Sequence, residues 1–113
     1  MGANLFDTNS LIDLYKANEN TIEGYTTIIN LIEYPKAIDF FYKLNVLYPS
    51  GKDYETSLFL SKELYKIGKP IPATDILLAS ICYNTELTLI SKDNHFEYVK
   101  EIWNDFQIIK NFK

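Results

Sequence analysis

Thr74-Asp75-Ile76-Leu77-Leu78-Ala79-Ser80-Ile81-Cys82-Tyr83, followed three residues later by Leu87-Thr88-Leu89-Ile90-Ser91, decides the fold. The first run is strongly apolar after a Thr-Asp opening, which predicts a buried helix starting at Thr74. The second is short, apolar and β-branched, and predicts a strand. The same alternation extends in both directions. Downstream, a helix is expected from Asn94 to Trp103 or Asn104, then a last strand at 106–109. Upstream, residues 53–67 read as an amphipathic helix whose apolar side carries Leu58, Phe59, Leu60, Leu64, Tyr65 and Ile67, with 68–72 as a loop. Residues 45–48 suit a short strand. Tyr25-Thr26-Thr27-Ile28-Ile29 suits a longer one, then Asn30 as a helix cap, Pro35 in a first turn and a helix reaching Leu44. Residues 3–7 form the first strand and break into Thr8-Asn9-Ser10, which favour a helix start before Leu11, Ile12, Leu14 and Tyr15.

Strands alternating with helices at this spacing predict an α/β fold: a three-layer α/β/α sandwich around a central, mainly parallel sheet of four to five strands. The 113 residues suit one domain, 1–113, with neither repeat nor linker. Hydrophobic residues make up 47% and charged residues 23%, enough apolar surface to exclude a disordered chain. No apolar run approaches the roughly 18 to 20 residues of a membrane span, and Met1 to Asp7 lacks the basic and apolar regions of a signal peptide. The lone cysteine, Cys82, has no partner for an internal disulfide, so a cytoplasmic setting is expected. With 15 acids, 11 lysines, no arginine and a net charge of −4, the chain lacks the basic surface of a nonspecific DNA binder.

The acids are therefore read against the sheet. Ligands of an open parallel sheet bind beyond the carboxyl ends of its strands. Asp7 ends the first strand, and Asp93 lies two residues beyond Ser91. Glu33 follows the second strand by four residues, in the first turn of the next helix. Asp75 opens a helix that runs antiparallel to the strand it feeds, so that helix begins at the same edge. Taken singly, each has a plainer role: Asp7 as a cap or turn residue, Glu33 and Asp75 as first-turn acids, Asp93 in a turn with Asn94. Taken together, four carboxylates from four segments meet at one edge, among Leu5, Phe6, Ile32, Ile76, Leu77 and Ile90. Carboxylates so placed raise one another's pKa or recruit a cation. An all-oxygen set suits Mg²⁺ or Mn²⁺, which polarises a phosphate ester and activates water. The other acids, Asp53 among them, read as solvated surface. His95, the single histidine, adjoins the last acidic motif; a metal-ligand role is open to it, with a surface or packing role the plainer reading, and Cys82 reads as inert core.

Four segments carry a family resemblance. Asp7-Thr8-Asn9-Ser10-Leu11-Ile12-Asp13 resembles the opening motif of PIN-domain ribonucleases, and Ile28-Ile29-Asn30-Leu31-Ile32-Glu33 their second strand and its Glu. Ile71 to Ala79, with Thr74-Asp75, is similar to their third acidic motif, and Leu89-Ile90-Ser91-Lys92-Asp93-Asn94-His95-Phe96 to the final one. The resemblance implies a PIN-like fold and a Mg²⁺- or Mn²⁺-dependent endoribonuclease. At this size it implies a VapC-type toxin of a toxin–antitoxin pair, a homodimer held by an antitoxin. Carried over by residue, Asp7, Glu33, Asp75 and Asp93 form the catalytic site, with Asp7, Asp75 and Asp93 as metal ligands. Asn9 and Ser91 orient ligands or water, with Asn94 beside them. Lacking arginine, a clamp on RNA would use lysine, with Lys69 and Lys92 nearest the motifs. Two departures stand out: a short stretch between Glu33 and Asp75, and Tyr34-Pro35 after the Glu. Three alternatives remain open at this point: a catalytically silent PIN-like interaction module, an RNA-processing nuclease without an antitoxin, and a phosphoacceptor domain. The last would need paired acids after the first strand and a lysine after the last, which this chain does not clearly supply.

Overall fold

Side chains alternate across a strand, and in the two central strands that alternation sorts the core into two layers. In the computed structural model, which describes residues 3–112, β1 (Asn4–Phe6) sends Leu5 into one apolar cluster and Phe6 into the other. β4 (Thr88–Ile90) does the same with Leu89 and Ile90. Met1, Gly2 and Lys113, which the sequence reading includes in its opening stretch and its domain, lie outside the described residues. Leu5, Phe6, Leu89 and Ile90 are all essentially inaccessible to solvent.

The chain runs β1, α1 (Thr8–Lys16), β2 (Gly24–Thr27), α2 (Ile28–Glu33), α3 (Ala37–Phe40) and β3 (Leu44–Leu47). It continues through α4 (Gly51–Lys66), α5 (Ala73–Thr85), β4, α6 (His95–Ile102) and β5 (Ile108–Ile109). The five strands form one all-parallel sheet in the order β3-β2-β1-β4-β5. Helices α1 to α3 contribute Leu11, Leu14 and Ala37 to the cluster around Phe6, and α4 to α6 contribute Leu60, Leu64, Ile81 and Phe96 to the cluster around Leu5. The expected α/β/α sandwich is thus present. After β3 the chain returns to the far side of β1, which makes the β1/β4 junction the topological switch point, where α/β sheets open a crevice.

Close approach at the β1/β2 pairing depends on Gly24: its φ is +136°, and a Cβ there would come within 2.6 Å of the Asn4 carbonyl oxygen. Helix α4 is started by a capping box, in which the Ser50 hydroxyl accepts from the Asp53 amide at 3.3 Å and the Asp53 carboxylate accepts from the Ser50 amide at 2.8 Å. Asp53 is accordingly buried and also accepts from Asn84 Nδ2 at 2.8 Å, not the solvated surface acid the sequence suggests. Ser50→Ala is expected to cost about 1 kcal/mol of stability, read as a lower midpoint in urea unfolding.

Two elements differ from expectation between β2 and β3. Thr27 caps α2 in a capping box with Asn30, so the β-branched pair Ile28-Ile29 starts a helix instead of extending the strand. A residue before proline is kept out of the helical region, and Tyr34 lies outside it (φ −140°, ψ 75°). Helix α2 therefore ends at Glu33, Pro35 falls in the turn after it, and the expected helix to Leu44 shrinks to α3. Glu33 sits in the last turn of its helix, not the first.

Candidate active site

Asp7, Glu33, Asp75 and Asp93 line one cleft of about 450 Å³ at the carboxyl edge of the sheet, together with Thr8, Asn9, Asn30 and Leu78. Each acid arrives there by a different local device. Asp7 follows β1 and caps α1, its Oδ1 accepting from the Ser10 amide at 2.9 Å. The plainer role of a capping residue is therefore real, and it leaves the carboxylate facing the cleft. Asp75 lies in the first turn of α5, whose positive end favours a negative charge. Asp93 is held in the turn after β4: its amide donates to Ser91 Oγ at 3.0 Å, and its Oδ1 accepts from the His95 amide at 2.9 Å.

Glu33 breaks a local rule, since an acid at a helix C-terminus faces the negative end of the dipole. A relay holds it. Thr27 Oγ1 donates to Asn30 Oδ1 at 2.7 Å, Asn30 Nδ2 donates to Thr8 Oγ1 at 3.0 Å, and the Thr8 hydroxyl donates to Glu33 Oε1. Neither Thr8 nor Asn30 stands out as a site residue from sequence alone. The signal that could have found them is the Thr27-x-x-Asn30 spacing of a capping box beside an acidic motif.

Burial raises the Asp7 carboxyl above its ordinary value of 3.8, against hydrogen bonds from Ser91 and Ser10 that lower it; the Asp93 charge raises it further. Asp75 is raised chiefly by burial as well, with a His95 hydrogen bond working the other way and the Asp93 and Asp7 charges adding to the rise. Asp7 and Asp75 thus both feel the Asp93 charge, and Asp75 that of Asp7 as well, a repulsion that a bound cation would relieve. In chemistry the donor set suits one: carboxylates from three segments, with Leu78 and no lysine among the lining residues; among the described residues, the donor atoms that lie within 4.8 Å of one another are those of Asp75, Asp93 and His95.

The remaining expected residues are placed as follows. Asn9 lines the cleft. Ser91 is fully buried and joins Asp7 to Asp93 through its hydroxyl. Asn94 Oδ1 accepts from Lys110 Nζ at 3.4 Å. Lys92 pairs with Asp13, and Lys69 pairs with Glu101 at 3.1 Å and lies over the Tyr98 ring. None of these three lines the cleft. Ile32, expected among the apolar surroundings, is 72% exposed. His95 lies outside the lining of the cleft but against two of its acids: its Nδ1 is 3.0 Å from Asp75 Oδ2 and 3.3 Å from Asp93 Oδ1. Cys82 is fully buried, its thiol pushed well up by desolvation, and is inert as expected.

Fold and site together define an α/β domain with a carboxylate-rich cleft at its switch point. Neither a protein-family model nor a curated protein matches the chain. Solved structures do. One is a chain of DNA-bound VapBC from Salmonella typhimurium, with 20% identity, 96% of this chain and 98% of that chain covered, and a TM-score of 0.74. Others belong to VapBC-1 from nontypeable Haemophilus influenzae (20% identity, 94% and 96% covered, TM-score 0.73) and FitAcB from Neisseria gonorrhoeae (16% identity, 95% and 96% covered, TM-score 0.72). At these identities the likeness is one of fold, and it spans nearly the whole chain. Among the described residues no helix is long and apolar enough to cross a membrane.

Proposed function

We propose that this chain is a PIN-domain ribonuclease of the VapC type, the toxin component of a toxin–antitoxin pair, hydrolysing RNA phosphodiester bonds with Mg²⁺ or Mn²⁺. The observation that carries the reading is the convergence of Asp7, Glu33, Asp75 and Asp93 from four segments into one cleft. The fold shared with chains of VapBC complexes supports the toxin–antitoxin assignment. Composition favours the nuclease partner over the DNA-binding one, since the chain has no arginine and a net charge of −4.

Asp7, Asp75 and Asp93 would hold the cation, which when bound polarises the phosphate and makes water a better nucleophile. Glu33 offers Oε2 to take up a proton from the attacking water, because Oε1 is engaged by Thr8. Water adds to phosphorus as the bond to the 3′ oxygen breaks, and the departing oxygen takes a proton from solvent, leaving a 5′-phosphate and a 3′-hydroxyl. Asn9, on the exposed lip of the cleft, is placed to orient substrate. With no lysine in the lining, binding of RNA by the metal-free protein is expected to be weak and salt-sensitive. The test is cleavage of a mixed RNA pool with Mg²⁺ or Mn²⁺, scored by 5′-phosphate ends and by loss of activity on chelation. Tight binding to a partner protein with no cleavage of any RNA would instead favour a silent interaction module.

A homodimer and an antitoxin need surface to bind. Leu58 and Phe59 on α4 are 69% and 53% exposed, beside an apolar depression lined by Tyr54, Leu58, Ile76 and Leu77. Exposed apolar side chains clustered in this way mark an interaction face. Replacing both Leu58 and Phe59 by Lys is expected to weaken self-association about tenfold or more, read by light scattering across a concentration series. A dimer of unchanged affinity would place the contact elsewhere.

A further inference from the structure

We propose that His95 is a cation ligand of the acidic cleft, forming a mixed nitrogen–oxygen set with Asp75 and Asp93 that favours Mn²⁺ over Mg²⁺. This rests on reading the cleft as a cation site and adds to it a ligand that the all-oxygen set lacks. Asp75, Asp93 and His95 each place one donor atom within 4.8 Å of the others, close enough to share one ion. The three come from two segments that the fold, not the sequence spacing, brings together: Asp75 from the start of α5, and Asp93 and His95 from the turn into α6.

The turn holds the imidazole in place. Ser91 Oγ receives the Asp93 amide, and Asp93 Oδ1 receives the His95 amide, so carboxylate and ring are tied to the same five residues. His95 is the first residue of α6, where Phe96 beside it is anchored in the core. A ring serving only as a hydrogen-bond donor needs one acceptor. Here Nδ1 lies 3.0 Å from Asp75 Oδ2 and 3.3 Å from Asp93 Oδ1, an oxygen that already accepts the His95 amide, so one nitrogen and two carboxylate oxygens converge on one point. A shared cation satisfies both and uses the ring nitrogen as a neutral donor. The consequence for selectivity follows from ligand chemistry. Mg²⁺ prefers oxygen and water, whereas an imidazole nitrogen adds affinity as the series moves to Mn²⁺ and the later divalent ions.

The experiment uses the whole protein and Mn²⁺ itself. Mn²⁺ binding is followed by loss of the free-ion electron paramagnetic resonance signal, and the bound ion is examined by pulsed resonance for coupling to a ¹⁴N nucleus. The wild type is expected to show histidine nitrogen coupling. His95→Gln, which keeps the backbone N–H and a helix-compatible side chain, is expected to lose that coupling and to bind Mn²⁺ about tenfold more weakly, with Mg²⁺ affinity changed less than about twofold. Mn²⁺ bound without nitrogen coupling, or an unchanged Mn²⁺/Mg²⁺ preference in His95→Gln, overturns the role of His95 and leaves the carboxylate site standing. Wild type that binds no Mn²⁺, or binding unaffected by Asp75→Asn, overturns both.

Discussion

Replacing Asp7 by Asn is expected to reduce metal-dependent RNA cleavage by about a thousandfold or more, roughly 4 kcal/mol of lost transition-state stabilisation, in a protein that remains folded. Asp7 has two jobs that the substitution separates. As the cap of α1 it offers Oδ1 to the Ser10 amide, and an Asn side chain offers the same acceptor. As a proposed ligand it supplies negative charge, which Asn does not. Being 6% exposed, the carboxylate also carries a desolvation cost that the neutral amide avoids, so the metal-free variant should be at least as stable as the wild type. Asp7→Ala is the control: it removes the cap as well and should lose about 1 kcal/mol of stability along with activity. Single-turnover cleavage of end-labelled RNA and thermal melts of all three proteins give the readout. Wild-type cleavage by Asp7→Asn would remove Asp7 from the site.

How much of this was legible beforehand depends on whether a contact is local. Asp7, Asp75 and Asp93 could be placed at one edge because each lies within a few residues of a strand or helix end, and the alternation of elements orients those ends. Glu33 reached the same edge, but its place in the helix was misread. Ile28 and Ile29 have strong strand propensity, and the Thr27–Asn30 box together with Pro35 outweighs it. His95 carried only the weak signal of standing two residues from Asp93, since a lone histidine has no periodicity and its other partner, Asp75, is 20 residues away. Lys92 illustrates the converse. It adjoins Asp93 in sequence, yet successive residues diverge in direction, and it pairs with Asp13 instead. Asp53 read as surface because its partner Asn84 lies 31 residues on, across the α4/α5 packing.

Saturating Mn²⁺ is expected to stabilise the wild-type fold by about 2.7 kcal/mol at a hundred times its dissociation constant, a rise of roughly 10 to 20 °C in melting temperature for a domain of this size. The raised carboxyls of Asp7 and Asp75 set how that gain varies with pH. A carboxyl whose pKa is higher in the folded than in the unfolded chain binds its proton more tightly when folded. Its contribution to stability is therefore full below the unfolded value of 3.8 and is lost as pH rises through the folded value. At neutral pH both groups are a liability to the metal-free protein, a strain that the proposed cation would remove. Two trends follow. Without metal, the melting temperature of Asp7→Asn minus that of wild type should grow as pH rises through the interval above 3.8, because the variant lacks one of the two destabilising charges. With metal, the wild-type gain should shrink as pH falls through the same interval, since protons and cation compete for the same oxygens. Melts from mildly acidic to neutral pH, with Mn²⁺ and with chelator, check both. A metal-induced shift that Asp7→Asn retains in full, or none in the wild type at neutral pH, would show that the strain of these carboxylates is not relieved by a cation. The cleft would then be a product of the fold's capping and turn requirements alone.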